Sequence, residues 1–148
     1  MTDKINSRLE VAAAHGAHWT GNPLEEDVVG EIAEREPELL DVVFECCGQQ
    51  EALDQAVDLL KPGGKLMIIG IPAEDRISFS VDETRRKELT IQNVRRQNNC
   101  VQTAIDFISE GHDVNFMITH RFSLEETGAA FELVGDYRDG VVKALIVP

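Results

Sequence analysis

At 148 residues the chain is long enough for a domain with its own core, and an apolar fraction of 43% is that of a globular protein. No stretch approaches the length of a membrane span, and no basic segment followed by an apolar one opens the chain, so neither a span nor a secretory signal is expected. A net charge of -13 argues against a nucleic-acid or anionic-membrane surface and reads as a solvated acidic exterior.

In chain order, Asn6 or Ser7 can cap a helix over Arg8 to Ala14, ended by Gly16. Asp3 stands where the end of a preceding strand is expected, with only Met1 and Thr2 before it, so the chain reads as starting inside a unit. His18-Trp19-Thr20 is a weak short strand. Residues 24–36 form an acidic amphipathic helix with Leu24, Val28, Val29 and Ile32 on one face.

Asp41 to Cys47 is a short apolar run ending in Gly48, the mark of a strand covered on both faces. From Gln50 to Leu60, Leu53, Ala56, Val57 and Leu60 recur at helical spacing. Lys61-Pro62-Gly63-Gly64 stops that helix, since proline cannot continue the ladder and glycine reaches positive φ freely. Leu66 to Ile71 is the next strand. Strand, helix and strand with short connections make a βαβ unit with parallel strands. Ligands of such sheets lie beyond the carboxyl ends of the strands, here Cys46-Cys47-Gly48 and Gly70-Ile71-Pro72.

Ile77 to Val81 reads as an edge strand or an extended loop, Asp82 as a cap for a helix through Lys87, and Leu89 to Val94 as a strand. Cys100 to Glu110 is a helix with Val101, Ala104, Ile105 and Ile108 inward. Leu124 to Val134 is another, led by the capping box of Ser123 and Glu126, and Val141 to Val147 is a final strand.

The pattern is α/β: a partial Rossmann-like, doubly wound parallel sheet without a first strand or glycine-rich loop, followed by a C-terminal helix-strand segment. G-x-G-x-x-G does not occur, and Gly63-Gly64 lies at the wrong end of a strand to replace it. The four histidines have no partner at metal-ligand spacing, and no nucleophile motif is present. Three cysteines, two of them adjacent, fit neither a disulfide framework nor a zinc site, which suggests a reducing cytoplasm. Asp3 is a helix cap, merely solvated, or the carboxylate that accepts from the adenosine ribose, with Arg8 one turn further on reaching the same sugar.

The stretch ECCGQQEALDQAVDLLKPGGKLMIIGIP resembles the later part of the cofactor domain of the zinc-dependent medium-chain dehydrogenases, in the sorbitol and threonine dehydrogenase branch. TDKINSRLEVAAAHGA is similar to that family's second-strand end and following helix, RKELTIQNVRRQN to its last cofactor-domain strand, and ITHRFSLEETGAAFELVGDYRDGVVKALIVP to its C-terminal return. The resemblance implies a partial NAD-binding domain over residues 1–94 and, over 95–148, a segment belonging to the catalytic domain. It places Asp3 on the ribose-binding acid, which favours NAD over NADP, and Arg8 on the flanking base. Cys46, Cys47 and Gly48 fall on the adenosine side. Ile69, Gly70 and Ile71 fall on the strand end facing the nicotinamide carboxamide, Gln92 and Asn93 on the strand exit completing that pocket, and Lys143 near the pyrophosphate.

An intact family member carries, before the position of Met1, the zinc ligands, a first strand and the glycine turn. No catalytic or metal-ligating residue is therefore assigned within this chain. The expected function is the C-terminal portion of a zinc-dependent NAD(H) alcohol or polyol dehydrogenase, inactive as this chain alone. One alternative is a non-catalytic nucleotide-binding or oligomerisation module, pairing through the Leu89–Val94 edge into a homo-oligomer. The other is an S-adenosylmethionine-dependent methyltransferase, which LLKPGGKLMI also resembles. A sheet without its first strand should expose apolar surface, so marginal stability or self-association is expected.

Overall fold

A computed structural model describes residues 1–96 and 98–148, which form two compact units, Asp27–Asn98 and Met1–Glu26 with Asn99–Pro148. In the first, a helix α2 (Val28–Arg35) leads to strand β1 (Leu40–Glu45), helix α3 (Gln50–Leu59), strand β2 (Leu60–Ile68), helix α4 (Val81–Arg86) and strand β3 (Thr90–Asn93). The sheet order is β1-β2-β3 and both pairings are parallel, as the strand-helix-strand pattern requires.

The helical stripe of α3 supplies the core. Leu53, Ala56, Leu60, Leu66 and Ile68 form one buried cluster, with Val43, Ile77, Phe79, Leu89 and Ile91 packed against it. Leu53 is 1% exposed, so Leu53→Ala is expected to lower unfolding free energy by about 3 kcal/mol, through lost burial plus the cavity. A denaturant midpoint with unchanged slope checks this.

Several local expectations shift. Leu60 begins β2 rather than ending the helix, and Lys61–Gly64 loops out where the register jumps from Leu40↔Leu60 to Val42↔Lys65. Gly63, at φ +77, makes that turn and donates its N–H to Lys87 O at 2.7 Å. Residues 24–27 are not helical: Asp27 caps α2 by accepting from Gly30 N, and Leu24 is exposed. Ser80, not Asp82, caps α4, while Asp82 pairs with Arg85 and Arg86. Residues 77–80 form the extended loop, held by Gln50, whose side chain exchanges hydrogen bonds with the Ser78 backbone. The β1 run is covered on one face only: Val43 packs on the core, while Phe44 is 63% exposed. That bare face matches the expected apolar exposure.

In the second unit, helix α1 (Asn6–Ala14) follows a short extended start, and Thr2 bridges to Gly21 in parallel. No side chain caps α1; Asp3 instead accepts from Ile5 N just before it. The His18–Thr20 strand is reduced to that bridge at Gly21. Asn22, 5% exposed, ties the segment to the α1 start by donating to Lys4 O and Asn6 Oδ1.

The later part holds α5 (Val101–Ser109), a 3-10 turn (Asn115–Met117), β4 (Ile118–Ser123), α6 (Thr127–Gly135) and β5 (Lys143–Val147), with β4 and β5 parallel. The final strand is as expected, whereas β4 had no counterpart in the sequence reading. Half the capping box forms: Glu126 accepts from Ser123 N and Oγ, but α6 starts only at Thr127. Those bonds hold the Glu126 carboxyl below its ordinary pKa. None of Val101, Ala104, Ile105 and Ile108 on α5 is buried, which corrects their inward placement. The apolar stripe is real, but α5 buries none of it within this chain.

Candidate functional site

The carboxyl ends of β1 and β2 meet at one edge. A row of register partners, Glu45↔Ile68↔Asn93, marks where the three strands stop together, so Gln92 and Asn93 lie on the same edge. Just beyond it, Ile69 N and Gly70 N both donate to Glu45 O, at 2.8 and 2.9 Å. Two glycines then let the segments cross. A Cβ at Gly48, which has φ +72, would lie 2.6 Å from Ile71 O. A Cβ at Gly70 would collide with Gly48 N and stand 2.6 Å from Glu45 Oε2. The structure thus brings Cys46, Cys47, Gly48, Ile69, Gly70 and Ile71 together.

Glu45 organises this edge, and the sequence reading passed over it. It is 4% exposed, and its Oε1 accepts from Cys47 N at 2.7 Å and Gly48 N at 2.6 Å. Its Oε2 is buried with no hydrogen-bond partner among the described residues. A carboxylate followed two and three residues later by the amides it accepts from is local turn chemistry of the Asp and Asn kind, one methylene longer. Both thiols beside it are displaced in pKa. Burial raises Cys46 and Cys47, and the Glu45 charge at Cys46 and its hydrogen bond at Cys47 add to the rise.

In the other unit, Arg8 Nη1 lies 3.9 Å from Asp3 Oδ2. That contact is loose. Arg8 is held instead over the Tyr137 ring, 5.1 Å from its centroid, and its Nε is buried without a partner among the described residues. Tyr137 was not singled out in the sequence; its residue type alone gives no sign of the contact. Arg8 also borders a cavity of about 430 Å³, shared with Val11, His15, Phe116, Met117 and Val142. Lys143 opens β5 and is exposed, its carbonyl accepting from Thr119.

A sugar diol calls for an acceptor of its hydroxyl protons and a donor to its oxygens, and the partly exposed Asp3 carboxylate and Arg8 guanidinium are groups of those two kinds. Among the described residues no group of three or more His, Cys, Asp or Glu could hold a metal ion. No helix among them is long and apolar enough to cross a membrane.

A family profile described as zinc-binding dehydrogenase matches residues 1–110. Sorbitol dehydrogenase of Bacillus subtilis is 31% identical over 150 residues, covering 100% of this chain and 42% of the relative. A Sinorhizobium meliloti protein described as a zinc-binding dehydrogenase, bound to NADP, superposes with a TM-score of 0.88 at 27% identity, covering 99% of this chain and 44% of that one. An Escherichia coli CFT073 short chain alcohol dehydrogenase complexed with NADH has a TM-score of 0.88 at 25% identity, covering 99% and 43%. The chain thus spans about two fifths of the length of the curated relatives it matches.

Proposed function

The chain belongs to the zinc-binding dehydrogenase family, and from that we propose that it is the cofactor-side, C-terminal portion of an NAD(H)-dependent alcohol or polyol dehydrogenase. Membership sets aside the methyltransferase reading. In the parent reaction a secondary alcohol passes a hydride to the nicotinamide, and residues 1–94 supply most of the nucleotide surface. Residues 95–148 belong with the catalytic part, and the protein works in the cytoplasm.

The observation that carries the reading is the Asp3–Arg8 pair, whose partly exposed carboxylate and guanidinium suit, as acceptor and donor, the hydroxyls of an adenosine ribose. A second negative group at the 2′ position would meet the Asp3 carboxylate, so NADH is favoured over NADPH. Cys46 to Gly48 and Ile69 to Ile71 form the edge over which adenosine and carboxamide lie, with Gln92 and Asn93 beside them. Lys143 answers the pyrophosphate charge. Zinc, which would polarise the alcohol in the whole enzyme, has no candidate ligand group among the described residues, and the G-x-G-x-x-G turn that would hold the pyrophosphate does not occur in the sequence. The chain alone is therefore proposed to bind the nucleotide weakly and not to oxidise alcohols.

Titrating NADH and NADPH by fluorescence tests this. NADH is expected to bind more tightly, and Asp3→Asn to weaken NADH by about tenfold while narrowing the difference, since a hydrogen bond to a charged group is at stake. Equal affinities that Asp3→Asn leaves unchanged would remove Asp3 from the site.

One observation favours a second reading. β3 is an edge strand paired on one side only, among the described residues, and so offers unpaired backbone to another copy. We extend the proposal to a homo-oligomer through Leu89–Val94. Light scattering showing a monomer at every concentration would remove it.

A further inference from the structure

Thr119 carries one hydroxyl proton, and the fold sets two acceptors around it. Ile118 pairs with Lys143 and His120 with Ala144, so Thr119 is the extra residue of an irregularity in β4. Such a bulge re-aims side chains and lets the sequence neighbours Thr119 and His120 touch. Lys143 O lies 3.3 Å from Thr119 Oγ1, and His120 Nδ1 lies 2.9 Å from it. The same oxygen accepts from Val142 N at 3.1 Å. Its single proton can go to only one of the two acceptors.

The imidazole decides which. His120 Nε2 stands 3.2 Å from Asp139 Oδ2, and an ionised carboxylate only accepts, so the proton of a neutral ring belongs on Nε2. Nδ1 is then bare and takes the Thr119 hydroxyl proton, which leaves Lys143 O without it. A charged ring has protons on both nitrogens. Nδ1 then donates to Thr119 Oγ1, and the hydroxyl proton turns to Lys143 O.

The surroundings hold these groups in place. Asp139 and Gly140 are the central residues of a turn closed by Val141 N, which donates to Arg138 O at 3.1 Å. Both have positive φ, 52° and 65°, which a type I′ turn requires and which Asp and Gly tolerate. Val141, buried, anchors the end of that turn. The His120 side chain is 18% exposed, and Asp139 is the charge that faces it. Opposite His120 on β5 stands Ala144, without charge, while Arg121 and Lys143, one residue further along each strand, alternate to the other face. The one charged residue of α6, which packs on β4, is Glu132, and among the described residues no second ion pair reaches His120.

We propose that His120 and Thr119 form a proton-gated tie between β4 and β5: protonation of His120 turns the Thr119 hydroxyl onto Lys143 O and fastens the start of β5. Lys143 is the residue that answers the pyrophosphate in the proposed function, but the tie itself does not rest on that reading.

The test follows the isotopically labelled full chain by NMR from about pH 8 down to about pH 5, the range in which histidine ordinarily takes up its proton. At the alkaline end His120 is expected to carry its proton on Nε2, with Nδ1 bare. As the ring gains charge, the Lys143 carbonyl carbon should move downfield with the same midpoint as the ring nitrogens. Thr119→Val, which keeps the shape and removes the hydroxyl, should abolish that carbonyl shift while His120 still titrates. A ring that stays neutral throughout, a neutral ring protonated on Nδ1, or a wild-type Lys143 carbonyl that ignores the ring overturns the tie, and none of these measurements needs a variant to fold. A carbonyl that still follows the ring in Thr119→Val overturns it too, since the charge and not the hydroxyl would then move it.

Discussion

Replacing Gly70 with alanine should lower unfolding free energy by about 3 kcal/mol, at the upper end of what overpacking usually does. Gly70 is not glycine for its backbone angles; its φ is not in the left-handed region. Space decides. The new Cβ would collide with Gly48 N and lie 2.6 Å from Glu45 Oε2 and 2.9 Å from Cys47 N. Two of those three neighbours are main chain and cannot rotate away. Nor can Gly70 retreat, because its own N–H and that of Ile69 are bonded to Glu45 O. Gly128 is the control, since a Cβ there meets nothing within 4 Å and the residue lies in α6. Gly128→Ala should leave stability unchanged or raise it by up to about 1 kcal/mol. Chemical denaturation of the two variants compares them, and equal midpoints would show that the two strand ends do not cross as closely as described.

Glu45→Ala should be comparably damaging, at about 2–6 kcal/mol, because two amides of a tight turn lose their acceptor together and each such loss runs to about 1–3 kcal/mol. The carboxylate is 4% exposed, so water does not readily take its place. Glu45→Gln keeps a carbonyl oxygen that can still accept from Cys47 N and Gly48 N, and should lose about 1–2 kcal/mol. The ordering wild type, glutamine, alanine is the result that matters. Alanine behaving like glutamine would mean the side-chain oxygen does not hold the turn. Backbone amide exchange at Cys47 and Gly48 reads the same ordering locally.

How far the sequence carried this picture depends on the kind of signal. The α3 stripe is local and periodic and predicts the parallel β1-β2 pair, with β1 placed to within two residues. β2 instead starts six residues early, at Leu60, because Pro62-Gly63-Gly64 forms an irregular stretch inside the strand, and it ends at Ile68 rather than Ile71. Glu45 escaped because a lone acid at the end of an apolar run reads as a strand end, whereas its role depends on turn geometry that only the folded chain displays. β4 escaped because Ile118-Thr119-His120-Arg121-Phe122 mixes polar and apolar residues in a way that short windows read as loop. The stripe on α5 was legible, but a stripe says that a helix has an apolar face, not that this chain covers it. Ile105 and Phe107 remain about half exposed, at 52% and 51%. Arg8 over Tyr137 joins residues far apart in sequence, and no pattern in either segment announces the contact.

The measurement that reaches the central claim most directly is an NADH titration of the full chain followed by backbone amide NMR. The account predicts saturable shifts, fitted by one dissociation constant, at the amides of Asp3 and Ile5, at Cys46 to Gly48 and at Ile69 to Ile71. Saturable shifts confined to other residues, or none at these positions at any NADH concentration, would contradict the assignment of this edge to the cofactor.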